Sequence, residues 1–170
     1  MNPLDSSHIR VVASEESGFD PLIVPADSLR EARTAQEDWA LVSVPERLQV
    51  IERFRHLVAE HAAELADVSF PHNSRPKAEI LVSEVLPLAD ACRFLEREAD
   101  SMLAPRFFGE KGRPMWLFGT TAQVHREPLG VVLIIAPSNY PIFLPGVQVL
   151  QALVAGNAVL LKPGRHGSPA

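Results

Sequence analysis

Between Glu127 and Lys162 the chain carries no charged residue, and its apolar positions there fall into blocks with different periods. Residues 130–136 are a short run rich in Val and Ile, bounded by Pro128-Leu129 and by Pro137-Ser138-Asn139-Tyr140-Pro141. That pattern predicts a buried strand. Leu144, Val147, Leu150, Gln151 and Val154 then recur at helical spacing, and Gly156-Asn157 offers the left-handed residue that ends a helix. A second apolar run occupies residues 158–161. Strand, helix and strand within about 35 residues make one βαβ unit with parallel strands. Ligands of such sheets bind at the carboxyl ends of the strands. The polar residues after the first strand and Lys162 after the second are therefore expected at the same edge.

Upstream, the spacing is helical. Residues 1–27 show no sustained period and read as extended or loop. Leu29, Ala32, Ala35, Trp39 and Val42 predict an amphipathic helix over 28–42 behind a Ser28 cap, with Trp39 in the core. Ser43-Val44-Pro45-Glu46 has capping-box spacing with Pro in the first turn, and opens a helix reaching about Val68. Its apolar face is Leu48, Ile51, Phe54, Val58, Ala62 and Leu65. A loop over 70–76 leads to a third helical region through Leu81, Val85, Leu88, Cys92, Leu95 and Met102, which Pro87 should kink or divide. Residues 105–114 read as a connector. Residues 116–126 alternate in part, as in a half-exposed strand.

The uncharged stretch is long enough to raise a membrane span, which needs about 20 consecutive apolar residues. Pro128, Pro137, Pro141 and Pro145, with Asn139, Gln148, Gln151 and Asn157, interrupt every window of that length. A buried βαβ unit accounts for the composition instead. Apolar residues make up 46% of the 170 positions, enough for a packed core. The net charge of -5, without a long basic cluster, argues against a nucleic-acid footprint. A single cysteine excludes an internal disulfide, and the opening residues lack a secretory pattern, so a reducing cytoplasm is expected. His56 and His61 stand five apart, which points them in different directions and suits solvated side chains better than a shared metal. No metal is expected. Cys92 sits on an apolar stripe, where its thiolate is disfavoured, and reads as an inert core residue.

The phrases REPLGVV, IIAPSNYP and LVAGNAVLLKP, in this order and spacing, resemble the aldehyde dehydrogenase superfamily. The resemblance covers roughly residues 35–163. It implies an α/β fold: amino-terminal helices plus the first βαβ unit of a Rossmann-like nucleotide-binding domain, incomplete relative to the whole aldehyde dehydrogenase fold. The implied organisation is an extended segment over 1–27, a helical part of the nucleotide-binding domain over 28–115, a strand of the assembly β-structure over 116–126, and the truncated βαβ over 127–170. Homo-oligomerisation is implied for the full-length enzyme.

The chemistry implied is oxidation of an aldehyde to a carboxylic acid with NAD or NADP as acceptor. In the family a cysteine thiolate attacks the aldehyde, hydride leaves to the nicotinamide, and a glutamate activates water to cleave the thioester. Asn139 matches the asparagine whose side-chain amide stabilises the oxyanion. Without the motif, an Asn after a strand would simply make an Asx turn. Lys162 matches the lysine that bonds the adenosine ribose, where a strand-end lysine is otherwise a solvated edge charge. Ile135, Ala136, Pro137 and Ser138 match the segment whose backbone lines the dinucleotide.

Two departures from the family pattern stand out. Ser138 replaces the Trp that much of the family carries before the catalytic Asn, so the pocket wall loses an aromatic. Arg165 replaces a Glu that bonds the ribose hydroxyls; a carboxylate would repel a 2′-phosphate and an arginine could accept it, so NADP is expected to be tolerated or preferred. The catalytic Cys and Glu are not in this stretch, so the segment is expected to be inactive alone. The alternative is a non-catalytic remnant that binds a nucleotide or a subunit.

Overall fold

The computed structural model describes residues 25–73, 75–109, 112 and 114–164. Helix α1 (Ala26–Leu41) opens two residues earlier than the Ser28 cap predicted, behind Pro25 and with no side-chain cap. Its first turn is favoured instead by Asp27 near the positive end of the helix dipole, paired with Arg30. Trp39 is half-buried rather than core. Its indole N–H donates to the Leu153 carbonyl at 2.8 Å, so the ring serves as a bridge with a polar tip.

Helix α2 (Val44–Glu60) begins with the predicted capping box. The Glu46 carboxylate accepts from the Ser43 amide at 3.1 Å, and the Glu46 amide donates back to the Ser43 hydroxyl at 3.5 Å. His61 (φ −98°, ψ 18°) interrupts the run, and α3 (Ala62–Asn73) continues it through most of the span expected as a loop. Then α4 (Lys77–Ile80) passes into a π-helical turn (Leu81–Val85) and α5 (Leu86–Leu103). Pro87 stands in the first turn of α5. A proline lacks the amide for the i−4 bond and crowds the carbonyl one turn back, and the wider π turn before it relieves that conflict. The predicted division is therefore local and leaves the helical run continuous.

The core is a seam between helices. Ile51 and Val58 of α2, Val85, Leu88, Cys92, Leu95 and Ala99 of the α5 run, and Leu150 and Val154 of the later helix α6 (Phe143–Val154) form one buried cluster. Leu48, Ala62 and Leu65 pack against it as expected. Phe54 and Met102 do not: they are 37% and 53% exposed, each one position off the seam. Arg55 and Glu96 close one rim of the seam with a two-pronged ion pair at 2.7 and 3.0 Å.

Strand β1 (Arg106–Phe108) lies where a connector was expected, and β2 (Ala122–Val124) is all that forms of the predicted 116–126 strand. A 3₁₀ turn (Met115–Leu117) occupies the beginning of that span. β1 and β2 pair antiparallel with Phe107 opposite Gln123, and every position is exposed. Three residues without a buried face leave no alternation to read.

The βαβ unit forms as predicted: β3 (Val131–Ile135), α6 (Phe143–Val154) and β4 (Ala158–Lys162), with β3 and β4 parallel. Gly156 takes φ +87° after α6, and an added Cβ would stand 2.7 Å from the Arg47 guanidinium. That guanidinium donates to the Val154 carbonyl at 2.6 Å, capping the helix end from α2. Buried Asn157 fixes the register, accepting from the Gly130 amide at 3.0 Å and donating to the Ala152 carbonyl at 3.1 Å. The strands are not buried on both faces as expected. Ile134 is buried, whereas Leu133, Ile135 and Leu161 are 41%, 62% and 45% exposed. Both α1 and α6 pack on the pair, but two strands leave free edges and uncovered surface.

Candidate active site at the strand ends

The parallel register sets Ile135 opposite Lys162, and the Ala136 amide extends the ladder by donating to the Lys162 carbonyl at 2.9 Å. Both strands therefore end at one edge. Beyond it the chain bends over residues 137–142 before α6 begins. Ser138 and Asn139 are exposed there, Ala136 is buried and Pro137 half-buried. Lys162 is exposed at the end of β4. After β4 the chain crosses back over the bend: a Cβ on Gly164 would stand 2.6 Å from the Ser138 nitrogen and 2.7 Å from the Pro137 carbonyl carbon. Backbone would have to move to admit it. Five of the predicted cofactor residues, Ile135, Ala136, Pro137, Ser138 and Lys162, thus share this edge with Asn139. Arg165 lies outside the described residues.

Sequence reasoning missed the side chains behind the bend. Arg75 donates to the Asn139 carbonyl at 2.9 Å and to the Ser83 hydroxyl at 3.1 Å, and its guanidinium lies 4.6 Å from the centre of the Tyr140 ring. It also pairs with Glu84. Glu84 is fully buried, and its second oxygen accepts from the amides of Ile142 at 2.9 Å and Phe143 at 3.4 Å. A buried carboxylate is tolerated because a guanidinium and the open amides at a helix start surround it. The one available signal was a charged residue inside the apolar window of residues 81–88. Its partner Arg75 lay in a presumed loop.

Cys92 is fully buried in the helical seam, and its thiol is pushed up to about 11, by burial first and then by the Glu96 carboxylate. A thiol so held is a poor nucleophile at neutral pH. His56 and His61 are exposed, and His61 contacts Glu64 at 3.0 Å. Among the described residues no group of three metal-binding side chains occurs, and no helix is long and apolar enough to cross a membrane.

The sequence profile of the Aldehyde dehydrogenase family matches residues 26–169. The chain belongs to that family. A Mycobacterium tuberculosis protein bearing the provisional name succinate-semialdehyde dehydrogenase NADP(+) 2 is 38% identical over 161 residues, spanning 95% of this chain and 28% of that protein. The 4,4'-diapolycopene aldehyde oxidase of Methylomonas sp is 30% identical over 149 residues, which is 86% of this chain and 28% of the relative. Among solved structures, the NADP-dependent glyceraldehyde-3-phosphate dehydrogenase of Bacillus halodurans C-125, complexed with NADP, superposes with a TM-score of 0.71 at 30% identity. That match covers 83% of this chain and 29% of the dehydrogenase. The fold is thus the amino-terminal portion of the aldehyde dehydrogenase fold with its Rossmann-like domain, and the chain spans less than a third of the length of these relatives.

Proposed function

We propose that this chain supplies the oxyanion donor and one wall of the dinucleotide site to an NAD(P)-dependent aldehyde dehydrogenase, and that it has no turnover by itself. The observation that carries the reading is the shared edge. Asn139, exposed within the bend, and exposed Lys162 both stand where the two parallel strands end. The side-chain amide of Asn139 would donate to the substrate oxygen as negative charge develops there, a contribution of about 3 kcal/mol in a dry site. Lys162 and the backbone of residues 135–138 would hold the dinucleotide, which accepts hydride when bound. The close crossing of Gly164 over Ser138 suits a backbone-lined wall rather than a side-chain-filled one. The exposed β1–β2 pair, with Phe107 of β1 77% exposed and Trp116 of the turn before β2 80% exposed, would be covered by another subunit in a cytoplasmic homo-oligomer.

The deciding experiment is the intact mass of the native product, captured from its source cell with an antibody against this segment, followed by kinetics. A mass far above 18.7 kDa and a fall in kcat of about 100-fold or more in Asn139→Ala are the expected results. A product of 18.7 kDa would overturn the dehydrogenase reading in favour of a binding remnant. Arg165 is proposed to accept a 2′-phosphate, in keeping with the NADP named for two of the relatives. Arg165→Glu should shift kcat/KM from NADP towards NAD, and an unchanged ratio would refute it.

A further inference from the structure

We infer that Arg75 and Glu84 are positioning residues that hold the bend so that Asn139 faces the reacting carbonyl. This rests on the oxyanion reading of Asn139. The bend holds itself poorly: Pro137 and Pro141 have no amide hydrogen, and the amides of Ser138, Asn139 and Tyr140 donate to no backbone carbonyl among the described residues. What fixes it comes from another element. Arg75 holds the Asn139 carbonyl and lies over the Tyr140 ring, and Glu84 takes the Ile142 and Phe143 amides. Two side chains thus tie four positions within five consecutive residues. The two are paired with each other, so the ends of the bend are set jointly.

The π-helical turn adds an independent observation. Ser83 and Glu84, the side chains that receive the Arg75 guanidinium, both lie within it. A π turn inserts extra backbone into a helix and re-aims the side chains it carries, and such turns recur at functional sites. Here it turns a fully buried carboxylate towards the start of α6. Apolar replacements of a buried ion pair are often as stable, so stability alone does not call for this one. A pair that holds the backbone on either side of a catalytic amide has a reason to persist, because a misplacement of about 1 Å can cost about 100-fold in rate.

The test is a double-mutant cycle in the dehydrogenase subunit that carries this segment, with Asn139→Ala, Arg75→Met and both together. Arg75→Met is expected to lower kcat at least about tenfold while leaving the KM for the dinucleotide unchanged. In the Asn139→Ala background it should cost nothing further, because no amide remains to be aimed. Arg75→Lys, which keeps the charge but not the forked contact, should recover part of the loss. Multiplicative losses in the cycle would overturn the inference. If Arg75→Met fails to fold, Arg75→Lys and Glu84→Gln run the same cycle. If Asn139→Ala leaves kcat unchanged, the oxyanion reading falls and amide exchange over residues 138–143 decides the clamp. Faster exchange in the Arg75 variant keeps it, and unchanged exchange removes it.

Discussion

The helical seam and the two-stranded sheet are built from the same kinds of residue and meet opposite fates. In the seam, Ile51, Val58, Leu88, Leu95, Leu150 and Val154 are each less than a tenth exposed. In the sheet, Ile134 is 4% exposed while its neighbours Leu133 and Ile135 are 41% and 62%. The difference lies in partners rather than in composition. Three helices close on each other within this chain, whereas a parallel sheet needs further strands at its edges and cover on both faces. The seam is therefore the part expected to carry stability, and the sheet the part built to join something larger.

Hollowing the seam should have the largest effect on stability. Leu88 is 2% exposed and lies against Gly146 of α6, where an added Cβ would stand 2.8 Å from its Cδ1. Leu88→Ala is expected to cost about 2–5 kcal/mol, the usual range for a buried leucine that leaves a cavity. Urea unfolding followed by Trp39 fluorescence measures it, since Trp39 is bonded to α6 and Trp116 is largely exposed. A loss under about 1 kcal/mol would mean that the helices collapse into the space and that the seam is not close-packed.

A milder probe is pH. The Cys92 thiol is raised from 9.0 to about 11 in the folded chain. The folded state thus holds the proton more tightly than the unfolded one. The stabilisation is complete below the unfolded value and is lost as pH rises through the folded value, so the window is about 9 to 11. The expected loss across it is on the order of 2 kcal/mol. Cys92→Val should remove that component of the alkaline slope. Equal slopes in the two proteins would mean that the thiol is not held in a dry seam.

The sequence exposed the parts of this arrangement whose signals are local. The Ser43–Glu46 box, the apolar stripe through Ile51 and Leu88, the βαβ blocks and the Gly156 stop all rest on contacts a few residues apart or on one repeating period. The edge that brings Asn139 and Lys162 together followed from parallel topology. The misses are of another kind. Strand β1 is too short to show a period, and the helix before Ser28 needed no side-chain cap. The Arg75–Asn139 bond joins residues 64 apart, and nothing in either residue's neighbourhood announces the other. The side chains behind the bend at the strand ends were therefore the least visible part of the candidate site.

The exposed face of the sheet should respond least. Leu161 occupies β4 opposite Ile134 and is 45% exposed, although its residue type would suit the seam. In the chain studied alone, Leu161→Ser should change unfolding free energy by no more than about 0.5 kcal/mol, as surface substitutions usually do. It should also improve solubility, because it removes part of an apolar patch. In a complete dehydrogenase subunit the same substitution should cost several times more, since further strands and helices would bury that face. Paired unfolding curves for the short chain and the complete subunit read the difference directly. Equal costs in the two settings would mean that this face stays open in the longer protein too, and the contrast between seam and sheet would then need another cause.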